Sequence, residues 1–111
     1  MHLNFIRKSN ILIVGLIGEL DHHTAAEVRA KIDDKIESEN IKKLILDFSR
    51  VSFMDSSGIG VVVGRSKKLS HLGGSVCIAN ASGSVKKVFE LSGLYKIIRN
   101  FDTVEKAVGE I

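Results

Sequence analysis

A chain of 111 residues and 12.1 kDa has room for one compact domain, spanning 1–111, and no second core-forming unit. Apolar residues make up 44% of it and charged residues 26%, which excludes disorder and collagen-like structure. A net charge of +3, with no Trp and one Tyr, gives neither the charge nor the aromatic–basic interleaving that nucleic-acid binding needs.

The longest apolar stretch, Ile11 to Gly18, falls far short of the ~20 residues that span a bilayer. The segment Met1-His2-Leu3-Asn4-Phe5-Ile6-Arg7-Lys8 lacks the basic-then-apolar order of a signal peptide, so a cytoplasmic location without membrane attachment is expected. The single cysteine, Cys77, forbids an internal disulfide or a multi-thiolate metal site, and its apolar neighbours predict a small core residue.

In chain order, residues 3–8 and 11–17 read as two strands joined by the tight turn Ser9-Asn10, an antiparallel hairpin. Thr24-Ala25-Ala26-Glu27 has the form of a capping box. It opens a helix to about Ser38 whose core stripe is Ala25, Val28, Ile32 and Ile36. Leu44 to Phe48 is a short buried strand, and Val51 and Phe53 are expected to pin the following segment to the core.

Asp55-Ser56-Ser57-Gly58 then changes the period. Ile59, Val62, Val63 and Leu69 lie on one helical face, with Arg65, Lys67 and Lys68 elsewhere around the turn. The run Val61-Val62-Val63 favours a strand, but the polar start and Gly73-Gly74 after it favour a helix. Ser75 to Ala79 is the next strand. Ser82 caps a helix carrying Val85, Val88 and Phe89, and Gly93 ends it in a left-handed Schellman arrangement that folds Leu94 back on Phe89. Ile97-Ile98 reads as a short strand, and Asp102-Thr103-Val104-Glu105 caps a last helix with Val104, Ala107, Val108 and Ile111 inward. The order β-β-α-β-α-β-α-β-α gives a small α/β sandwich, a mixed sheet of an antiparallel N-terminal hairpin and parallel strands packed against helices.

Charge divides unevenly along the chain. Residues 1–55 carry 8 basic and 9 acidic side chains, whereas 56–111 carry 8 and 4. Between Ser56 and Arg99 the only acid is Glu90, facing Arg65, Lys67, Lys68, Lys86, Lys87, Lys96 and Arg99. A solvated helix face accounts for this more simply than a partner surface does.

Residue chemistry excludes most catalytic sites. Met54-Asp55-Ser56-Ser57-Gly58 is not the G-x-S-x-G elbow of a serine hydrolase, and no spacing puts His22, His23 or His71 beside Ser56. Adjacent His22 and His23 diverge on a helix and cannot share a metal ion as i,i+4 pairs do; they read as polar turn residues before Thr24. Gly58, Gly60 and Gly64 are spaced one residue too widely for G-x-G-x-x-G; they lower the bulk on the outside of their helix, where another backbone can approach. No cofactor is expected. A phosphate on Ser56 is accepted locally at a helix N-terminus, although composition alone favours a plain N-cap role for that serine.

Three blocks decide between these readings. Gly18-Glu19-Leu20-Asp21-His22-His23-Thr24-Ala25, Phe53-Met54-Asp55-Ser56-Ser57-Gly58-Ile59-Gly60 and Leu91-Ser92-Gly93-Leu94-Tyr95-Lys96-Ile97-Ile98 together resemble the STAS domain. They resemble most the anti-sigma factor antagonists of spore-forming bacteria, the stage II sporulation protein AA class. The His22-His23 pair and Val63-Gly64-Arg65 point to the sporulation branch rather than the general-stress branch.

The resemblance implies a non-enzymatic, monomeric binding module in a partner-switching cycle. The unphosphorylated antagonist binds an anti-sigma factor that is also a serine kinase, and a sporulation sigma factor is released. The kinase, which itself holds the ATP or ADP, phosphorylates the serine matching Ser56, and a PP2C-type phosphatase reverses the change. Asp21 matches the acidic loop residue beside that serine. Asp55, Ser57, Gly58, Gly60, Gly64 and Arg65 complete the expected partner surface. The alternatives are a general-stress antagonist, a STAS scaffold subunit and, from another class, a small serine hydrolase or nucleotide-binding protein.

Overall fold

The computed structural model describes residues 1–111. Its elements are β1 (His2–Lys8), β2 (Ile11–Leu20), α1 (Ala25–Ser38), β3 (Lys43–Met54), α2 (Ser56–His71), β4 (Ser75–Ala79), α3 (Gly83–Ser92), a 3-10 turn (Leu94–Lys96), β5 (Arg99–Phe101) and α4 (Val104–Glu110). The five strands form one sheet in the order β1-β2-β3-β4-β5. β1 and β2 are antiparallel, and the remaining neighbours are parallel, the mixed sheet expected from the sequence. No helix is long and apolar enough to cross a membrane.

The period-2 alternation of β3 separates two cores. Leu44, Leu46 and Phe48 point to a large cluster that includes Val28, Ile32 and Ile36 of α1, Val61, Val62 and Leu69 of α2, and Val85 and Phe89 of α3. Ile45 points to the opposite face, with Ile11, Ile13, Cys77, Ala79 and Ala107 of α4. Three helices therefore cover one side of the sheet and α4 the other. Phe48 meets Phe89 edge-on at 5.0 Å between ring centroids, a favourable aromatic geometry that ties β3 to α3. Cys77 is buried as expected.

Several local expectations change. The strand expected to end at Phe48 continues to Met54, because β2 offers a parallel partner all the way to the pair Leu20–Met54. Val51 is half-buried against the core, but Phe53 points outward and is half exposed.

The capping box at Thr24 does not form. Thr24 already has αR backbone angles, whereas that motif needs an extended cap residue. Its Oγ1 instead accepts from the Asp21 amide at 3.1 Å and donates to the Glu19 carbonyl at 3.0 Å, while Glu27 pairs with Lys31.

Gly93 ends α3 with φ 76°, as expected, but the Leu94 amide donates to Ser92 Oγ rather than back to a helix carbonyl, so no Schellman motif closes. A 3-10 turn that buries Leu94 follows, and this delays the last strand from Ile97-Ile98 to Arg99–Phe101. α2 forms despite its valine run because Val61 and Val62 are both fully buried, and that packing outweighs their intrinsic preference.

Candidate functional site

The ends of β2 and β3 lie side by side, and the site is built there. Leu20 pairs with Met54, and the Asp55 amide donates to the Leu20 carbonyl at 3.2 Å. The residues that leave these strands, Asp21-His22-His23 and Asp55-Ser56-Ser57, therefore emerge as neighbours although 34 positions separate Asp21 from Asp55.

Asp55 has extended backbone angles and is the N-cap of α2; its Oδ1 accepts from the Ser57 amide at 2.8 Å. The Ser57 amide, with His22 beside the carboxylate, holds Asp55 below the ordinary carboxylate range. Because Asp55 performs the capping, Ser56 is the first helical residue, exposed, with its hydroxyl outside the cap. Ser57 is half-buried. That separates the two adjacent serines by exposure as well as by motif.

On the facing turn, Asp21 Oδ1 accepts from the His23 amide at 2.9 Å and the Thr24 amide at 3.2 Å. Its carbonyl also takes the Ala25 amide at 2.9 Å. Asp21 thus shapes the lead-in to α1 as well as placing a carboxylate near the site. His22 Nδ1 lies 3.7 Å from Asp55 Oδ2. That proximity was missed from the sequence, where His22 reads only as a turn residue; the signal available was that 11–20 and 43–54 are adjacent parallel strands ending together.

Two of the expected surface residues point inward. A Cβ at Gly58 would overlap the Met54 side chain and meet Leu20 Cδ2 at 3.2 Å, so this glycine lets the helix seat on the strand ends. Arg65 is 7% exposed, with Nε 2.8 Å from Asp33 Oδ1 of α1. The contact is an ion pair rather than an aligned hydrogen bond, and neither atom has another partner. Arg65 follows Val61 by one turn and precedes Leu69 by another, and that spacing places it on the buried stripe. Gly60 and Gly64, by contrast, have open space where a Cβ would stand.

The basic excess is also partly internal: Arg65 pairs with Asp33, Lys68 with Glu37 and Arg99 with Glu110, which leaves Lys67, Lys86, Lys87 and Lys96 exposed and unpaired. No cluster of three His, Cys, Asp or Glu side chains is arranged to hold a metal ion.

The family model of the STAS domain matches residues 2–107. The chain belongs to the STAS-domain family. An anti-sigma F factor antagonist of Paenibacillus polymyxa is 38% identical over 101 residues, covering 91% of this chain and 86% of that protein. The anti-sigma factor antagonist SpoIIAA in its unphosphorylated form superposes with a TM-score of 0.83 at 37% identity, covering 96% of this chain and 93% of that one. The phosphorylated form of the Bacillus cell fate determinant SpoIIAA matches with a TM-score of 0.75 at 36% identity and 97% coverage of both chains. Sequence and fold together place this STAS domain with the anti-sigma factor antagonists of the SpoIIAA type, a class of regulators rather than enzymes.

Proposed function

We propose that this STAS domain is a cytoplasmic, monomeric anti-sigma factor antagonist that switches partners through phosphorylation of Ser56. The observation that carries the reading is the division of labour at the start of α2: Asp55 caps the helix, and the exposed Ser56 hydroxyl is left for chemistry. In unphosphorylated form the domain binds an anti-sigma factor that is also a serine kinase and displaces a sporulation sigma factor from it. With ATP in the kinase, Ser56 Oγ attacks the γ-phosphorus; the new O–P bond forms as the bond to ADP breaks, and a base of the kinase takes the hydroxyl proton. A PP2C-type phosphatase hydrolyses the ester and restores the binding form.

Electrostatics supports release by blocked docking. Phosphorylation adds a charge of about −2 next to Asp55 and across from Asp21. In water the repulsion is modest. It grows about fourfold as the effective dielectric falls from about 80 to about 20 in a closing interface. Gly60 and Gly64, one turn apart on α2 and each with open space where a Cβ would stand, give a partner backbone close access beside the serine.

The test is intact mass and complex formation with a sporulation-type anti-sigma serine kinase. Wild type gains one phosphoryl group with ATP and forms a stable complex with ADP; Ser56→Ala keeps the complex and gains no phosphate. Continued labelling of Ser56→Ala moves the site to Ser57. Equal kinase affinity of the modified and unmodified forms overturns the switch, and preference for a general-stress kinase moves the domain to that branch.

A further inference from the structure

His22 is the only basic side chain within ion-pair distance of Asp55, and it is not used by the helix-capping network. Its Nδ1 stands 3.7 Å from Asp55 Oδ2, close enough for attraction when protonated and too far for an N–H···O bond. The imidazole is exposed, so its donor is free to move to a better acceptor. Asp55 Oδ1 is already taken by the Ser57 amide.

The charged groups around it come from three elements. Asp55 lies at the junction of β3 and α2, Asp21 and His23 lie on His22's own turn, and Glu19 lies at the end of β2. His23 lies against His22 with ring centroids 3.9 Å apart and planes tilted by 39°, yet has no carboxylate within ion-pair distance. A phosphoryl dianion added at Ser56 joins two carboxylates at this corner, and His22 is the side chain placed to answer it.

We propose that His22 is a positioning residue for the phosphoryl group on Ser56, donating from its imidazolium to a phosphoryl oxygen. The inference rests on the reading of Ser56 as the phosphorylated serine and names the group that holds the product of that reaction. A phosphoserine ordinarily loses its second proton near pH 6, and an imidazole ordinarily titrates near 6.5, each about. An imidazolium beside the ester favours its dianion, so removing the imidazole makes the phosphoryl group hold its last proton to higher pH.

The experiment uses protein with phosphoserine incorporated at position 56 during translation, so that its result does not depend on any kinase. Phosphorus NMR follows the second ionisation of that group in the otherwise wild-type protein, in His22→Gln and in His23→Gln. The expected result is a midpoint raised in His22→Gln by about half a unit, roughly a threefold gain in proton affinity, with His23→Gln close to wild type. An unchanged midpoint in His22→Gln overturns the proposal. Equal shifts in both variants also overturn it, since they reflect the net charge of the turn rather than one placed donor. If the kinase leaves Ser56 unmodified, the function fails on that assay alone and this measurement still reads the geometry.

Discussion

Three glycines of α2, within seven positions of one another, stand in different surroundings. Gly58 lies against Met54 and Leu20, whereas Gly60 and Gly64 face open space. Gly58→Ala is expected to lose about 1–2 kcal/mol in urea unfolding, because the Cβ displaces a packed Met54 side chain. Gly60→Ala and Gly64→Ala are expected to gain about 0.5–1 kcal/mol by removing glycine from helix-interior positions that have room for a Cβ. The same two variants should bind the anti-sigma kinase less tightly, a rise in stability with a fall in affinity that calorimetry on each can read.

Asp55 gives a pH signature at the same scale. Its carboxyl is held below the ordinary range, so its contribution is present above the unfolded value near 3.8 and lost as pH falls through the folded one. The difference in melting temperature between wild type and Asp55→Ala should therefore be steady from pH 5 upward and shrink below about pH 4. Cys77 titrates in the other direction. Burial pushes its thiol up to about 11, so thiol reagents should label the folded protein far more slowly at pH 8 than the urea-unfolded chain.

Among the elements, α1 and α2 are joined across their faces by Arg65–Asp33 and Lys68–Glu37. The second pair is largely solvated, and little stability is expected from it. The first has a buried cation opposite a carboxylate of 28% side-chain exposure. Arg65→Ala strands Asp33 and should cost about 3 kcal/mol in urea unfolding, the lower end for broken buried pairs because water still reaches the acid. Adding Asp33→Leu to Arg65→Met should recover most of that loss, the test that an ion pair and not side-chain bulk is responsible.

Such pairings mark where sequence reading stops. Periodicity located every helix and four of the strands, because nearly all bury a stripe that the sequence displays and β1 alternates Leu3 and Phe5 against the core. It put Arg65 outside, since a lone cation on an apolar stripe shows its position only once Asp33 on a different helix is known to face it. The extent of β3 was hidden for the same reason: Ser49, Arg50 and Ser52 look like a loop until β2 supplies a parallel neighbour. Ser56 was legible as chemistry through its motif, but its freedom from capping was not, because Asp55 and Ser56 both have side chains suited to that position.

Over the whole molecule, Ser56, the serine proposed for modification, stands at the rim of the sheet and not in either core. Phosphorylation is therefore expected to leave the amide NMR spectrum dispersed, with changes confined to the turns around Asp21 and Ser56, and to shift the melting temperature by only a few degrees. A collapsed spectrum would replace blocked docking with unfolding as the switch.

The pairing of β3 with β4 ends at Asp47–Ala79, while its pairing with β2 runs on to Met54. Asp47 Oδ1 closes that boundary by accepting from the Ser49 amide and from Asn80 Nδ2, both at 3.0 Å. Beyond it, the platform carrying Asp21 and Ser56 narrows to a two-stranded ribbon, since β1 also leaves β2 at Ile17. Deuterium should enter the peptide groups of 50–53 ahead of those of 44–46, since the ribbon can breathe without melting its base. Ser56 is thus mounted on the part of the sheet that can yield a little to the partner proposed to close over it.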